Sequence, residues 1–209
     1  MTRSWTFLLL LALPLAGCPP TVDDDDSASD DDDSTEEVDF RMWGPDFLSD
    51  DGITHNYDCE QALPPENSCL SPNPEILWEG APADAVSFVL IFDDVSFNNY
   101  PHWAIFNIPG DATGLDADIS GGGAGGSIPA GATELDNGFG EEGYLGSCPG
   151  GVNHYRWRLW ALDTELDANQ YTALGSTAAA YAELAEDAED AAIEGVDMCH
   201  VFDGAAAGR

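Results

Sequence analysis

The chain contains no lysine and only five arginines, against 40 aspartate and glutamate residues, and its formal net charge is −35. Binding to a phosphate backbone requires clustered basic side chains, so the composition argues against nucleic acid as a partner. The same charge repels an anionic membrane surface. It favours solubility, including in salty surroundings where repulsion is screened.

The chain begins with an apolar run, Trp5 to Ala16, that follows Arg3. This run is shorter than the ~20 residues that a membrane-spanning helix needs. Residues 1–18 are therefore predicted to be a signal peptide. This segment ends at Cys18. An ordinary signal peptide in which this cysteine occurs by chance is an alternative to the lipoprotein interpretation given next, and it stays open at this point.

The sequence "LAGC" that ends at Cys18 resembles the lipobox of bacterial lipoproteins. The resemblance implies cleavage before Cys18 and acylation of that cysteine, with palmitate among its chains. More than one acyl chain gives stable anchoring without a span. Pro19 is not the aspartate that typically retains such lipoproteins at the inner membrane, so the resemblance implies a cell-envelope protein of the outer membrane.

Residues 19–38 contain two blocks of four aspartates with small polar fillers and almost nothing to bury. Like charges repel and extend such a segment, so we expect a disordered tether ahead of a folded domain over residues 39–209. The more specific alternative for this segment is a calcium-binding site. A calcium loop usually needs a turn glycine, which this segment lacks, and we expect no metal and no cofactor.

Four cysteines follow Cys18, at Cys59, Cys69, Cys148 and Cys199. An even number in an exported protein predicts two disulfides, and three connectivities remain open. None of the four lies in a pattern with zinc-site spacing.

Four apolar or alternating segments predict strands, over residues 86–94, 102–109, 154–163 and 196–204. In the second, we expect Trp103, Ile105 and Asn107 on one face. The other face would carry Ala104, Phe106 and Ile108. In the third, Tyr155, Trp157, Leu159 and Ala161 share a face.

One helix is predicted from Ser176 to Gly195, with Ser176 or Thr177 as its cap. Its buried stripe is expected to comprise Tyr181, Leu184, Ala185, Ala188, Ala192 and Ile193. Several strands with one late helix predict a mainly β fold, an antiparallel β-sandwich-like core with one C-terminal helix and long loops.

Five motifs, in order, resemble those of the phosphatidylethanolamine-binding protein family, specifically its bacterial Raf-kinase-inhibitor-like branch. They are "YDC" with "LSPNPEILWEGAP", "FVLIFDD", "HWAIFNIPGDATGL", "GYLGSCPGG" and "YRWRLWALD". Together they cover most of residues 39–204.

The resemblance implies an anion pocket at a sheet edge, formed by Asp94, His102 and Tyr155, with Cys148 and Pro149 from the "SCPGG" loop. A carboxylate beside an imidazole favours the protonated ring, so we expect the pKa of His102 to be raised. A protonated ring and backbone N–H groups suit an oxyanion. A strand-end histidine without a ligand is the alternative interpretation of His102.

Three parts of the family pattern are altered in this chain. Val95 and Ser96 replace a second carboxylate, and Asn153 occupies the position of a later histidine. The adjacent His154 is expected to face away from Tyr155, because successive strand residues alternate. Gly150 also replaces a proline of the "CPP" motif, so the loop is expected to be less rigid.

The resembled branch often carries cysteine at the positions of Cys59 and Cys148, which implies that these two lie near each other. That pairing would leave Cys69 for Cys199. The local pairing of Cys59 with Cys69 remains a rival.

The function that follows is a membrane-tethered binding protein for a small anion: phosphate, a phospholipid head group or a carboxylate. A surface interaction protein with a vestigial pocket is the alternative. A hydrolase that uses Asp94 and His102 as a general base is less favoured, because the chain has no GxSxG nucleophile motif.

Overall fold

The computed structural model describes residues 38–47 and 71–205. The predicted signal peptide and tether, Cys18, Cys59 and Cys69 lie outside the described residues. Across the two described ranges, none of the helices has both the length and the hydropathy that crossing a membrane requires.

In the described residues, eight strands form two antiparallel sheets. The smaller sheet has the order β1 (Arg41–Trp43), β2 (Ile76–Glu79) and β5 (Gly114–Leu115). The larger sheet has the order β6 (Thr133–Glu134), β4 (Tyr100–Pro109), β3 (Ser87–Asp94), β7 (Val152–Leu162) and β8 (Ala192–Asp203). The predicted mainly β fold with an antiparallel β-sandwich-like core is confirmed, and the structure builds it from two antiparallel sheets.

The large sheet has an apolar layer on each face. The first core, between the two sheets, contains Trp78, Phe92 and Trp157. The second core lies between the large sheet and the helices α1 (Ala168–Thr172) and α2 (Thr177–Ala191). Every residue of β3 is buried, which explains why its middle, Phe88 to Phe92, is continuously apolar rather than alternating. Each buried large apolar side chain contributes about 1.5–3 kcal/mol.

The four predicted side chains of β7, Tyr155 to Ala161 at every second position, all join the first core as expected. The prediction for β4 is wrong at Ile108, which packs in the first core with Trp103 and Ile105. The pairing of β3 and β4 slips by one residue between Phe88 and Leu90, so Asn107 occupies a bulge with a φ of 54°. A bulge reverses which face the next residue takes.

The predicted helix is correct at its start and wrong at its end. Ser176 is the N-cap residue, but α2 ends at Ala191. Ala192 to Gly195 instead begin β8, where Ala192, Glu194 and Gly195 pair with the end of β7 and Ile193 is the extra residue of a bulge. The ladder with β7 is available to this segment only in the folded chain, so tertiary hydrogen bonds override the local helical pattern.

The two aspartates that end β3 point to opposite faces of the large sheet. Asp93 is buried on the helix side, where its Oδ2 accepts hydrogen bonds from Arg158 Nη2 at 2.7 Å and Arg156 Nη2 at 3.0 Å. Burial lowers the pKa of Arg158 and raises that of the nearby Asp197. Two of the five arginines thus neutralise one buried carboxylate.

Removing these arginines should destabilise the folded domain. Replacing both Arg156 and Arg158 by methionine is expected to lower the free energy of unfolding by about 3–5 kcal/mol, because it leaves a buried carboxylate unpaired. Arg41→Met breaks an exposed pair with Glu79 and should cost less than about 1 kcal/mol. Urea denaturation of the three proteins measures both values. Equal losses in the two variants would contradict this role of Asp93.

His200 on β8 is fully buried and packs edge-on against the Phe47 ring at 4.6 Å. Neither ring nitrogen has a hydrogen-bond partner in the described part of the chain. Burial lowers the pKa of His200 to about 3. The unfolded chain, whose histidine has an ordinary pKa near 6.5, therefore binds the proton first on acidification.

Acidification below about pH 6.5 should therefore destabilise the fold, and the loss should continue down to about pH 3. Between pH 7 and pH 5, His200 alone is expected to remove about 2 kcal/mol from the free energy of unfolding. Urea denaturation at both pH values, on wild type and His200→Leu, isolates this contribution. His154→Leu, at an exposed position, is the matched control. An identical pH dependence of the free energy of unfolding in wild type and His200→Leu would contradict this role of His200.

Candidate functional site

A cavity of ≈ 350 Å³ opens at the edge of the large sheet where β3 ends and β4 begins. All five residues expected at the anion pocket line it. The full lining comprises Asp94, Phe97, Tyr100, His102, Phe139, Leu145, Cys148, Pro149, Gly150, Asn153 and Tyr155. Its volume lies within the range of small-molecule sites, ~300–1,000 Å³.

Asp94 lies between two tyrosines across the sheet, opposite Tyr155 on β7 and Tyr100 on β4. Its Oδ2 accepts a hydrogen bond from Asn153 Nδ2 at 2.6 Å, and its Oδ1 accepts one from the backbone N–H of Phe97 at 3.2 Å. The carboxylate is therefore a positioned acceptor in the cavity wall.

His102 reaches the cavity through a second bulge in β4. Phe92 pairs with Trp103 and Asp93 pairs with Pro101, so His102 is the extra residue between them. Its side chain consequently turns to the first-core side, beside Phe92 and Tyr155, with ring centroids 5.2 Å away in both cases. Strict alternation would have placed His102 and Trp103 on opposite faces.

The expected rise in the pKa of His102 is wrong in direction. The ring is buried, and the loss of hydration lowers its pKa below 6.5 more strongly than Asp94 and the backbone contacts raise it. Nδ1 lies 2.8 Å from the Leu145 carbonyl oxygen, which only accepts, so Nδ1 carries the proton. Nε2 is then the ring nitrogen left for a ligand.

Tyr155 is a buried phenol in the cavity wall. Burial, and secondarily the charge of Asp94, raises its pKa above the ordinary value. The hydroxyl therefore stays protonated at physiological pH. It is a hydrogen-bond donor for a ligand oxygen.

The loop that carries Cys148 and Pro149 is fastened to β4. The Leu145 N–H donates to the His102 carbonyl at 2.8 Å, reciprocal to the bond from the His102 ring. The buried carboxylate of Glu134 accepts from Trp103 Nε1 at 2.6 Å and from Ser120 Oγ at 2.5 Å. These bonds hold Ser120, Glu134 and Leu145, which lie between β5 and the Cys148–Pro149 loop, against the strand that supplies His102.

Two of the departures from the family pattern have a structural consequence. Asn153 lines the cavity and holds Asp94, so an amide occupies the expected histidine position. His154 lies on the opposite side of β7, as expected, with its backbone N–H donating to Ser96 Oγ at 2.8 Å. Ser96 therefore tethers β7 outside the cavity.

Sequence reasoning missed the aromatic lining residues Phe97, Tyr100 and Phe139. Tyr100 had a usable signal, since it lies two residues before His102 on the same strand. Phe97 and Phe139 had none, because each lies in a locally bonded turn outside the regular strands, where no alternation of side chains predicts the direction of the ring.

Cys148 and Cys199 lie in the described chain. Cys59 and Cys69, the partners that the family resemblance implies for them, lie outside it, so the disulfides and their pairing, including the rival pairing of Cys59 with Cys69, stay predictions. No cluster of three or more His, Cys, Asp or Glu side chains suited to a metal occurs in residues 38–47 or 71–205.

At neutral pH the cavity thus presents a phenol donor, an imidazole that is mostly neutral, and one carboxylate. On protonation, His102 becomes a second donor beside Tyr155. The site is suited to hold a small polar group against an otherwise apolar wall.

Comparison with known proteins places the chain in a family. The family model described as phosphatidylethanolamine-binding protein matches residues 44–195. A UPF0098 protein of Methanothermobacter thermautotrophicus is 40% identical over 120 residues, which cover 54% of this chain and 77% of the relative.

Two solved structures share the fold. The crystal structure of Escherichia coli YbcL, described as a new member of the mammalian PEBP family, superposes with a TM-score of 0.61 at 22% identity, covering 79% of this chain and 98% of YbcL. The PEBP homologue CT736 of Chlamydia trachomatis gives 0.55 at 19% identity, covering 78% and 97%. With the family model matching well over half of its length, the chain belongs to the phosphatidylethanolamine-binding protein family.

Proposed function

We propose that the protein is a binding protein that holds a small oxyanion in the cavity of Asp94, His102 and Tyr155, while a lipid at Cys18 tethers it to the outer membrane. The observation that carries this proposal is the convergence of the three side chains and of the Cys148–Pro149 loop on one cavity. Residues from three strands and one long loop meet there.

An oxyanion in this cavity would accept hydrogen bonds from the Tyr155 hydroxyl and from Nε2 of protonated His102. Each bond of this kind to a charged group contributes roughly 1.5–3 kcal/mol. Asp94 repels a full negative charge but accepts a hydrogen bond from a protonated oxygen of the ligand. The net charge of −35 adds a further repulsion. Weak binding follows.

Anion binding should depend on pH through His102. Because burial lowers the pKa of that ring, it is largely neutral at pH 7 and must gain a proton to donate from Nε2. The affinity should therefore rise as pH falls from 7 toward 5.5, by at most about tenfold per pH unit for one proton taken up. His102→Ala should abolish both the binding and its pH dependence.

Titration with inorganic sulfate followed by NMR measures this, since the charge of sulfate is constant over that pH range. His154→Ala is the matched control, because His154 is not among the residues that line the cavity, and it should bind like wild type. Loss of binding in His154→Ala with retention in His102→Ala would place the site elsewhere. If wild type binds no oxyanion at all, the proposal fails and an interaction surface becomes the better function.

The tether is a separate part of the proposal, supported by the "LAGC" sequence that ends at Cys18. Cys18→Ser should abolish incorporation of a palmitate analogue and shift the protein out of the membrane fraction, because the acylated thiol is lost. Cys69→Ser leaves the lipobox intact and should still be labelled. Labelling of the Cys18→Ser protein would exclude a lipid anchor at this cysteine.

A further inference from the structure

Two exposed phenylalanines stand at the mouth of the cavity. Phe97 is 66% exposed and Phe139 is 65% exposed, and both line the cavity opening. Tyr100 lies between them, with its ring centroid 5.6 Å from that of Phe97 and 6.4 Å from that of Phe139. We call these three rings the aromatic rim.

The cavity carboxylate itself holds Phe97 in place. Phe97 ends the short 3-10 turn Val95–Phe97, and Asp94 caps that turn by accepting from the Phe97 N–H. The other oxygen of Asp94 accepts from Asn153. The buried Asp94 side chain thus positions both Asn153 in the cavity wall and Phe97 on one side of the aromatic rim.

A buried asparagine fixes the other side. Asn137 accepts from the Phe139 N–H at 2.9 Å through Oδ1 and donates to the Gly143 carbonyl at 3.1 Å through Nδ2. Gly138 lies flat against Tyr100, where an added Cβ would come within 2.2 Å of the ring, and its N–H donates to the Pro101 carbonyl. Phe139 is therefore presented on a tight, internally bonded turn.

Internal hydrogen bonds hold these two phenylalanines in solvent-exposed positions. Because an apolar side chain gains free energy only when it is removed from water, this arrangement favours a ligand that covers both rings. The cavity of ≈ 350 Å³ also has more room than a bare oxyanion fills. The Tyr100 ring makes interplanar angles of 54° with Phe97 and 68° with Phe139, so the rim offers both edges and a face to a further ring.

We propose that the ligand is a soluble phosphate monoester that carries an aromatic ring next to its ester oxygen. This inference rests on the proposed function. The phosphate lies against His102 and Tyr155, and the ring of the ligand packs in the aromatic rim. A soluble ester suits the site better than a lipid head group, because a net charge of −35 is repelled by the many like charges of an anionic bilayer surface and much less by a single soluble anion.

The role of the aromatic rim is tested by comparing the affinities of phenyl phosphate and methyl phosphate, which share the phosphate group and differ in the ring. Both are measured by NMR titration of the full chain at pH 6. Wild type should bind phenyl phosphate roughly five- to tenfold more tightly, since an aromatic pair adds a modest gain beyond area burial. The Phe97→Ala/Phe139→Ala double variant should bind the two esters within about twofold of each other, because the ring contacts are lost.

Phe139→Tyr keeps a ring and should keep the preference for phenyl phosphate. Leu174→Ala removes an exposed apolar side chain that is not part of the cavity lining and should leave the preference unchanged. Dihexanoyl phosphatidic acid, below its micelle concentration, is the lipid probe, and we expect it to bind more weakly than phenyl phosphate.

The outcomes separate the two proposals. Methyl phosphate binding without a preference for phenyl phosphate, or a preference that survives in the double alanine variant, would overturn the role of the rim and leave the oxyanion site standing. Tighter binding of dihexanoyl phosphatidic acid would overturn the assignment of a soluble aromatic ester. Failure of wild type to bind either ester would overturn the oxyanion site as well.

Discussion

The bulge at His102 is the constraint on which the site depends. Without the extra residue between Pro101 and Trp103, β4 would have to send either the imidazole or the indole to the helix side of the sheet. With it, Trp103 stays in the first core, bonded to Glu134, and His102 turns to the cavity. The same strand therefore contributes to the core and to the site.

The last two residues of β3 lie in different electrostatic environments, because successive side chains of a strand point to opposite faces of the sheet. Asp93 enters a buried cluster with two of the five arginines, and Asp94 enters a cavity lined by aromatic rings. Buried charge is tolerated at Asp93 because the arginine donors lie within 3.0 Å. At Asp94 the donors are neutral, namely the Asn153 amide and the Phe97 N–H. These two arginines thus stabilise the interior of the domain, and their side chains are not part of the cavity lining.

Burial rather than charge sets the protonation of His102. A neighbouring carboxylate favours the imidazolium, but a ring packed among Phe92, Tyr100 and Tyr155 loses most of its hydration. Desolvation dominates in such surroundings. The result is a cavity whose donor capacity increases when a proton arrives, in a domain that is otherwise strongly acidic.

The sequence by itself determined the mainly β antiparallel fold, the strand faces of β7, the start of α2 and five residues of the cavity lining. Alternation and the run of family motifs are local signals, and they survive folding. Only the tertiary structure decided the two bulges of β4, the end of α2 at Ala191, the pKa direction of His102 and the aromatic rim. Each of these depends on hydrogen bonds or burial between segments far apart in the chain. Asn107 illustrates the reason, since its bulge is held by the backbone of Leu166, 59 residues away.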